Sequence, residues 1–174
     1  VVIDTACNSS VHSQEWRENF IAKIRSRECF RGVQKPIPFF MEKCRKSFGG
    51  IGGDRAATCT GRVTWLQCIC DVEGNPINYT TTSSSEITGG DITCLLGIDL
   101  LKTIGFKYDM DENRCWRVFH NDDGEKVQKE IPLARCAGSG LPMIRIDHYE
   151  QFDQQDRLKY LSLIHISEPT RPPE

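Results

Sequence analysis

The first residues to suggest chemistry are Asp4 and Thr5, a carboxylic acid and a hydroxyl at the end of the apolar run Val1-Val2-Ile3. A carboxylate can take up or release a proton during a reaction. An Asp beside a Thr after a strand also reads as an ordinary turn or cap. Order along the chain is what gives this pair weight. Gly49-Gly50-Ile51-Gly52-Gly53 follows it, and Leu95-Leu96-Gly97 follows that. Nine cysteines are the other reactive groups: Cys7, Cys29, Cys44, Cys59, Cys68, Cys70, Cys94, Cys115 and Cys136. Their odd number and irregular spacing argue against a complete disulfide framework. Cys68 and Cys70, in C-x-C spacing, place both sulfurs on one face of a strand, where a histidine could complete a zinc site. The preferred reading is buried thiols of an intracellular protein, with no metal. His12, His120 and His148 are scattered and read as structural; Trp16, Trp65 and Trp116 read as core. The stretch Asp109-Met110-Asp111-Glu112-Asn113 lacks the mid-loop Gly and terminal Glu of a calcium loop and reads as a solvated turn.

The elements that must position these groups follow from hydrophobic period and turn residues. Residues 1–3 form a strand that turns at Asn8-Ser9-Ser10. Ser13 can cap a helix running to near Arg27, with Glu15 in its first turn and Trp16, Phe20, Ile21 and Ile24 on one face. Pro36 and Pro38 break the next stretch. The glycine run cannot hold a helix and weakens a strand, so it reads as a hairpin tip. Residues 55–71 alternate as a long strand, Glu73-Gly74-Asn75-Pro76 turns it, and residues 77–87 return. A second short helix spans 99–104, stopped by Gly105. Further strands fall at 106–108, 115–119 and 127–133, the last two joined by Asn121-Asp122-Asp123-Gly124. The fold class is mainly β, organised around one core.

Three segments resemble one family in its own order. Val2-Ile3-Asp4-Thr5-Ala6 resembles the catalytic Asp-Thr/Ser-Gly of the retroviral-type aspartic proteases, the retropepsins. Gly49-Gly50-Ile51-Gly52-Gly53 is similar to the flap tip of the lentiviral members. The segment from Leu95 to Gly105 resembles the strand and helix beside their active site. Asp-Thr-Ala-Cys before a Glu-Trp helix resembles copia-type LTR-retrotransposon polyproteins, as do Ile131-Pro132-Leu133 and Ser139-Gly140-Leu141 near the entry to integrase. The likeness spans roughly residues 1–146.

That resemblance implies a retropepsin-like acid-protease β-barrel, with one helix after the catalytic strand and another after Leu95-Leu96-Gly97. It implies an aspartic endopeptidase that processes its own Gag-Pol-type polyprotein and needs no cofactor. Asp4, Thr5 and Ala6 would form the catalytic motif. Gly49, Gly50, Ile51, Gly52, Gly53, Leu95, Leu96 and Gly97 would bind the peptide as an added strand. Such chemistry needs two carboxylates ~3 Å apart that share one proton, one activating water and the other protonating the scissile carbonyl. Asp99, Asp109 and Asp147 do not sit in such a motif. The single Asp4 therefore implies a homodimer, with Thr5 bracing the pair across the axis. Ala6 stands where most of the family has Gly, and only three residues precede Asp4, so a strand that the family uses is expected to be missing. An inactive retropepsin-like binding or dimerisation domain stays open, and so does a Cys-rich metal-binding β-domain.

Composition sets the outer limits. The chain has 174 residues, with 22 Lys+Arg against 24 Asp+Glu for a net charge of -2. That balance gives no electrostatic footprint for nucleic acid or an anionic membrane, and no apolar run reaches the ~20 residues that span a bilayer. The expected divisions are a protease domain over 1–119, a β-rich extension toward the integrase region over 120–160, and 161–174. The last segment resembles the in-frame translation of a transposase-based sequencing adapter and is set aside from the fold. The opening residues read as the inside of a longer chain, and the expected location is intracellular, in cytoplasmic particles.

Overall fold

Alternating polar, β-branched and aromatic residues favour strands, each burying one face. In a computed structural model that describes residues 1–28, 39–49, 57–77, 80–88 and 92–151, they form twelve strands among the described residues. The strands are β1 (Val2–Ile3), β2 (Val11–Ser13), β3 (Phe39–Lys43), β4 (Ser47–Phe48), β5 (Ala57–Gln67) and β6 (Thr80–Ile87). They continue with β7 (Leu95–Leu96), β8 (Phe106–Asp109), β9 (Arg114–His120), β10 (Lys126–Ile131), β11 (Leu133–Arg135) and β12 (Pro142–Ile144). Two helices, α1 (Gln14–Arg25) and α2 (Ile98–Thr103), and a 3-10 turn at Tyr149–Gln151 complete the described elements. The fold is mainly β, as expected.

The larger sheet runs β11-β12-β1-β7-β2-β6-β5-β3, with β4 also on β5; β10-β9-β8 form a separate meander. At its centre β1 runs parallel to β7, while β2 pairs antiparallel with β7 and parallel with β6. Strand β5 and the three residues after it feed two cores because their side chains alternate. Val63, Trp65 and Ile69 join Ile3, Leu96, Leu100 and Leu101 on one side. Leu66, Cys68 and Cys70 join Ile24 and Tyr149 on the other. Cys68 and Cys70 thus share a face, as their spacing predicts, and both are buried. The Tyr149 hydroxyl closes that second cluster by donating to the Leu66 carbonyl at 2.7 Å.

Local signals set α1 well. Ser13 Oγ accepts from Trp16 N at 3.1 Å as the predicted cap, Trp16 stacks on Phe20, and Ile24 is buried. The strand expected over 127–133 is instead split. Pro132 carries no N–H for a ladder, so β10 ends in the small sheet and β11 starts in the large one. From there β12 returns beside β1, with Met143 opposite Val2. The expected division after residue 119 falls within β9. Beyond it, Ile131, Ile144 and Ile146 sit in the same cluster as Ile3 and Leu96.

Behind β2 lies a buried polar group. His12, 0% exposed, has Nδ1 2.6 Å from Ser84 Oγ and Nε2 3.3 Å from Glu86 Oε2, and Arg17 also pairs with Glu86. Trp65 meets the ring edge-on at 4.8 Å between centroids. Burial, opposed by Glu86, lowers the His12 pKa to about 4. The fold therefore favours neutral imidazole, and its stabilisation is complete above the unfolded value near 6.5. As pH falls from there through about 4, the unfolded chain binds the extra proton, and stability should drop by about 3 kcal/mol. Urea unfolding across that window tests this: His12→Gln should flatten the slope, and an unchanged slope would refute the assignment.

Candidate active site

The site is built where two chain segments cross. Strand β1 is anchored by buried Val2 and Ile3, and Asp4 N donates to Leu96 O at 3.1 Å, carrying the ladder one step further. There the chain turns. Asp4 Oδ1 accepts from Ala6 N at 3.0 Å and Cys7 N at 3.2 Å, the side-chain-to-backbone bonding that makes Asp a turn former. These amides fix the carboxylate at the mouth of the turn. The Cys7 thiol donates to Ser9 O at 2.8 Å, and burial, reinforced by Asp4 and Asp99, raises its pKa. It stays a protonated structural donor rather than a thiolate nucleophile.

Ser10 ties this loop to the second segment. Its Oγ accepts from Gly97 N at 3.0 Å and donates to Asp99 Oδ1 at 3.2 Å, where its own amide also donates. Leu100 N donates to the same oxygen at 2.7 Å, and Ile98 N reaches Cys7 O at 2.9 Å. The approach is so close that only glycine fits at 97. A Cβ there would lie 2.6 Å from Ser9 C, 2.8 Å from Ser10 N and 2.9 Å from Cys7 O, all of them backbone atoms.

The opposite wall is β4, held on β5 by the Ser47–Thr58 and Phe48–Ala57 pairs. Between the walls is an open cleft of about 580 Å³, lined by Asp4, Ala6, Cys7, Asn8, Ser9 and Leu95 on one side and Lys46 to Gly49 on the other. The structure thus brings Asp4, Ala6, Gly49 and Leu95 together. Thr5 is exposed on the turn beside them, whereas Leu96 and Gly97 are buried behind the cleft and support it. Gly50, Ile51, Gly52 and Gly53 lie outside the described residues.

Among the described residues, Asp4 is the carboxylate that lines this cleft. Asp99 is bound to the Ser10 and Leu100 amides, Asp109 caps its own turn through the Asp111 and Glu112 amides, and Asp147 pairs with Arg27 and Arg145. Sequence reasoning did not single out Ser10, Asn8, Lys46, Ser47 or Phe48. Nothing local separates Ser10 from Ser9; only its partners 87 and 89 positions away do. Among the described residues no group of three His, Cys, Asp or Glu side chains could hold a metal ion.

No family model matches the chain, and no curated protein matches it. Among solved structures it is similar to the retroviral protease-like domain of Ddi1 from Leishmania major, with 17% sequence identity and a TM-score of 0.34. That alignment covers 75% of this chain and 82% of the other.

The crossing gives a sharp stability test. Gly97→Ala must push backbone apart and should cost about 3 kcal/mol, the upper end for overpacking. Ser10→Ala, which orphans the Gly97 amide, should cost about 1–3 kcal/mol. Urea midpoints would measure both; wild-type stability for Gly97→Ala would contradict the close approach.

Proposed function

We propose that this chain is one half of a retropepsin-type aspartic endopeptidase, completed by a second copy. The observation that carries this reading is the placement of Asp4: a turn-braced carboxylate in an open cleft, faced by β4 and the start of the glycine run. The turn amides engage Oδ1, which leaves Oδ2 to share a proton with Asp4 of the partner copy. Two such carboxylates at contact distance cannot both ionise, so the pair titrates as a unit. Its charged member takes a proton from water, and its neutral member donates to the scissile carbonyl oxygen. An extended peptide would lie between the Asp4 loop and β4, using backbone groups as an added strand does. The copia-like wording of the chain suggests its own polyprotein as substrate, cut inside cytoplasmic particles.

A second reading is favoured by Ala6, whose position in the cleft lining is where the resembling family carries glycine. Its methyl group would crowd a bound peptide and leave a domain that pairs or binds without cutting.

One experiment separates the two. Cleavage of an extended apolar peptide should be fastest in mild acid, blocked by a hydroxyl-bearing transition-state mimic, and reduced about 10²–10⁴-fold by Asp4→Asn. Sedimentation should show a dimer in the active preparation. Peptide binding without cleavage at any pH, in a protein shown to be folded and dimeric, would select the inactive reading.

A further inference from the structure

Beside β4, two cysteines line one cavity in a way that the endopeptidase reading does not use. β3 ends at Lys43, opposite Gly61, and β4 begins at Ser47, opposite Thr58. Between these pairs, Cys44, Arg45 and Lys46 on one side face only Cys59 and Thr60 on the other. The chains stay joined there, since Cys59 N donates to Lys46 O at 2.8 Å. Cys44 and Cys59 thus stand on facing segments of one unpaired stretch. Both line an open cavity of about 740 Å³ together with Lys43, Arg45 and Lys46.

We propose that Cys44 and Cys59 are a redox modification site, a dithiol that a small anionic disulfide of the glutathione type converts to a disulfide.

The two sulfurs differ in access, and that sets their roles. Cys44 is half-buried and Cys59 fully buried, so Cys44 meets the oxidant and Cys59 resolves. Three cations around Cys44 attract the carboxylates of the glutathione disulfide. The Cys44 thiolate attacks one sulfur of the oxidant, a mixed disulfide forms, and one glutathione leaves as thiolate. Cys59 then gives its proton to solvent and attacks Cys44 Sγ. The mixed bond breaks and the second glutathione leaves. Two electrons pass from the cysteine pair to the oxidant, which ends as two thiols. Burial, with Cys44 beside it, raises the Cys59 pKa, so the resolving step should quicken as pH rises. The new bond would tie the ends of the segment that carries β4, whose Ser47 and Phe48 line the cleft.

The test reads chemistry on the chain and needs no proteolytic activity, so it stands or falls apart from the proposed function. The reduced protein is incubated with oxidised glutathione, its remaining thiols are alkylated, and it is digested with trypsin. The expected product is the dipeptide Cys44-Arg45 linked to the peptide of residues 56–62, with loss of two hydrogens and of both alkylation sites. Cys44→Ser, at a half-exposed position, should abolish the link, while Cys136→Ser should leave it intact. The proposal is overturned if Cys44 and Cys59 both remain alkylatable, if either links to a different cysteine, or if Cys44 stops at a mixed disulfide with glutathione.

Discussion

The contact on which the rest of this structure depends is the one between Gly97 and the backbone of residues 7–10. Two chain segments cannot cross at such a distance if either carries a side chain at the point of contact. With glycine there, backbone and side-chain polar groups satisfy one another across the crossing: Gly97 N to Ser10 Oγ, Ser10 Oγ to Asp99 Oδ1, Ile98 N to Cys7 O. Each of these bonds is worth only about 1 kcal/mol net, but leaving one buried partner unpaired costs more. The network therefore works as a unit. It brings β1 and β2 onto opposite sides of β7, which sets the direction in which Asp4 leaves the sheet.

A second polar group fixes the neighbouring register. His12 stands opposite Glu86 where β2 runs parallel to β6, with Ser84 at its Nδ1 and Arg17 paired to Glu86. Buried ionic groups are often no more stabilising than apolar ones, but they discriminate strongly against slipped pairings. A one-residue shift here would leave a carboxylate and an imidazole without partners. The arrangement also makes a demand on pH, because a buried neutral histidine holds the sheet together best near neutrality and above.

The thiols divide by environment rather than by spacing. Cys94 and Cys115 are buried, with pKa values pushed up to about 12 by desolvation, and behave as small apolar side chains. Cys7 is a hydrogen-bond donor under the Asp4 turn. Cys44 and Cys59 stand apart because both line one open cavity beside cations. One residue type thus fills three roles, and water access decides which.

Much of the chain was legible from local pattern. The cap at Ser13, the apolar face of α1, the alternation along β5 and the stop at Gly105 all lie within short windows. In such windows, period and turn chemistry speak directly. Strands β2, β3, β4, β11 and β12 were not read, since they are short and owe their conformation to partners such as Met143 opposite Val2. Nor was it legible that Pro132 hands the chain from one sheet to the other, or that Leu96 and Gly97 support the cleft from behind while Leu95 lines it. The sequence by itself determined the class of the fold and which carboxylate deserved notice. Only the tertiary structure decided what surrounds that carboxylate, because Ser10, Asp99, Lys46 and the Cys44–Cys59 pair acquire their roles from strand crossings and pairings, which bring together residues that no local window contains.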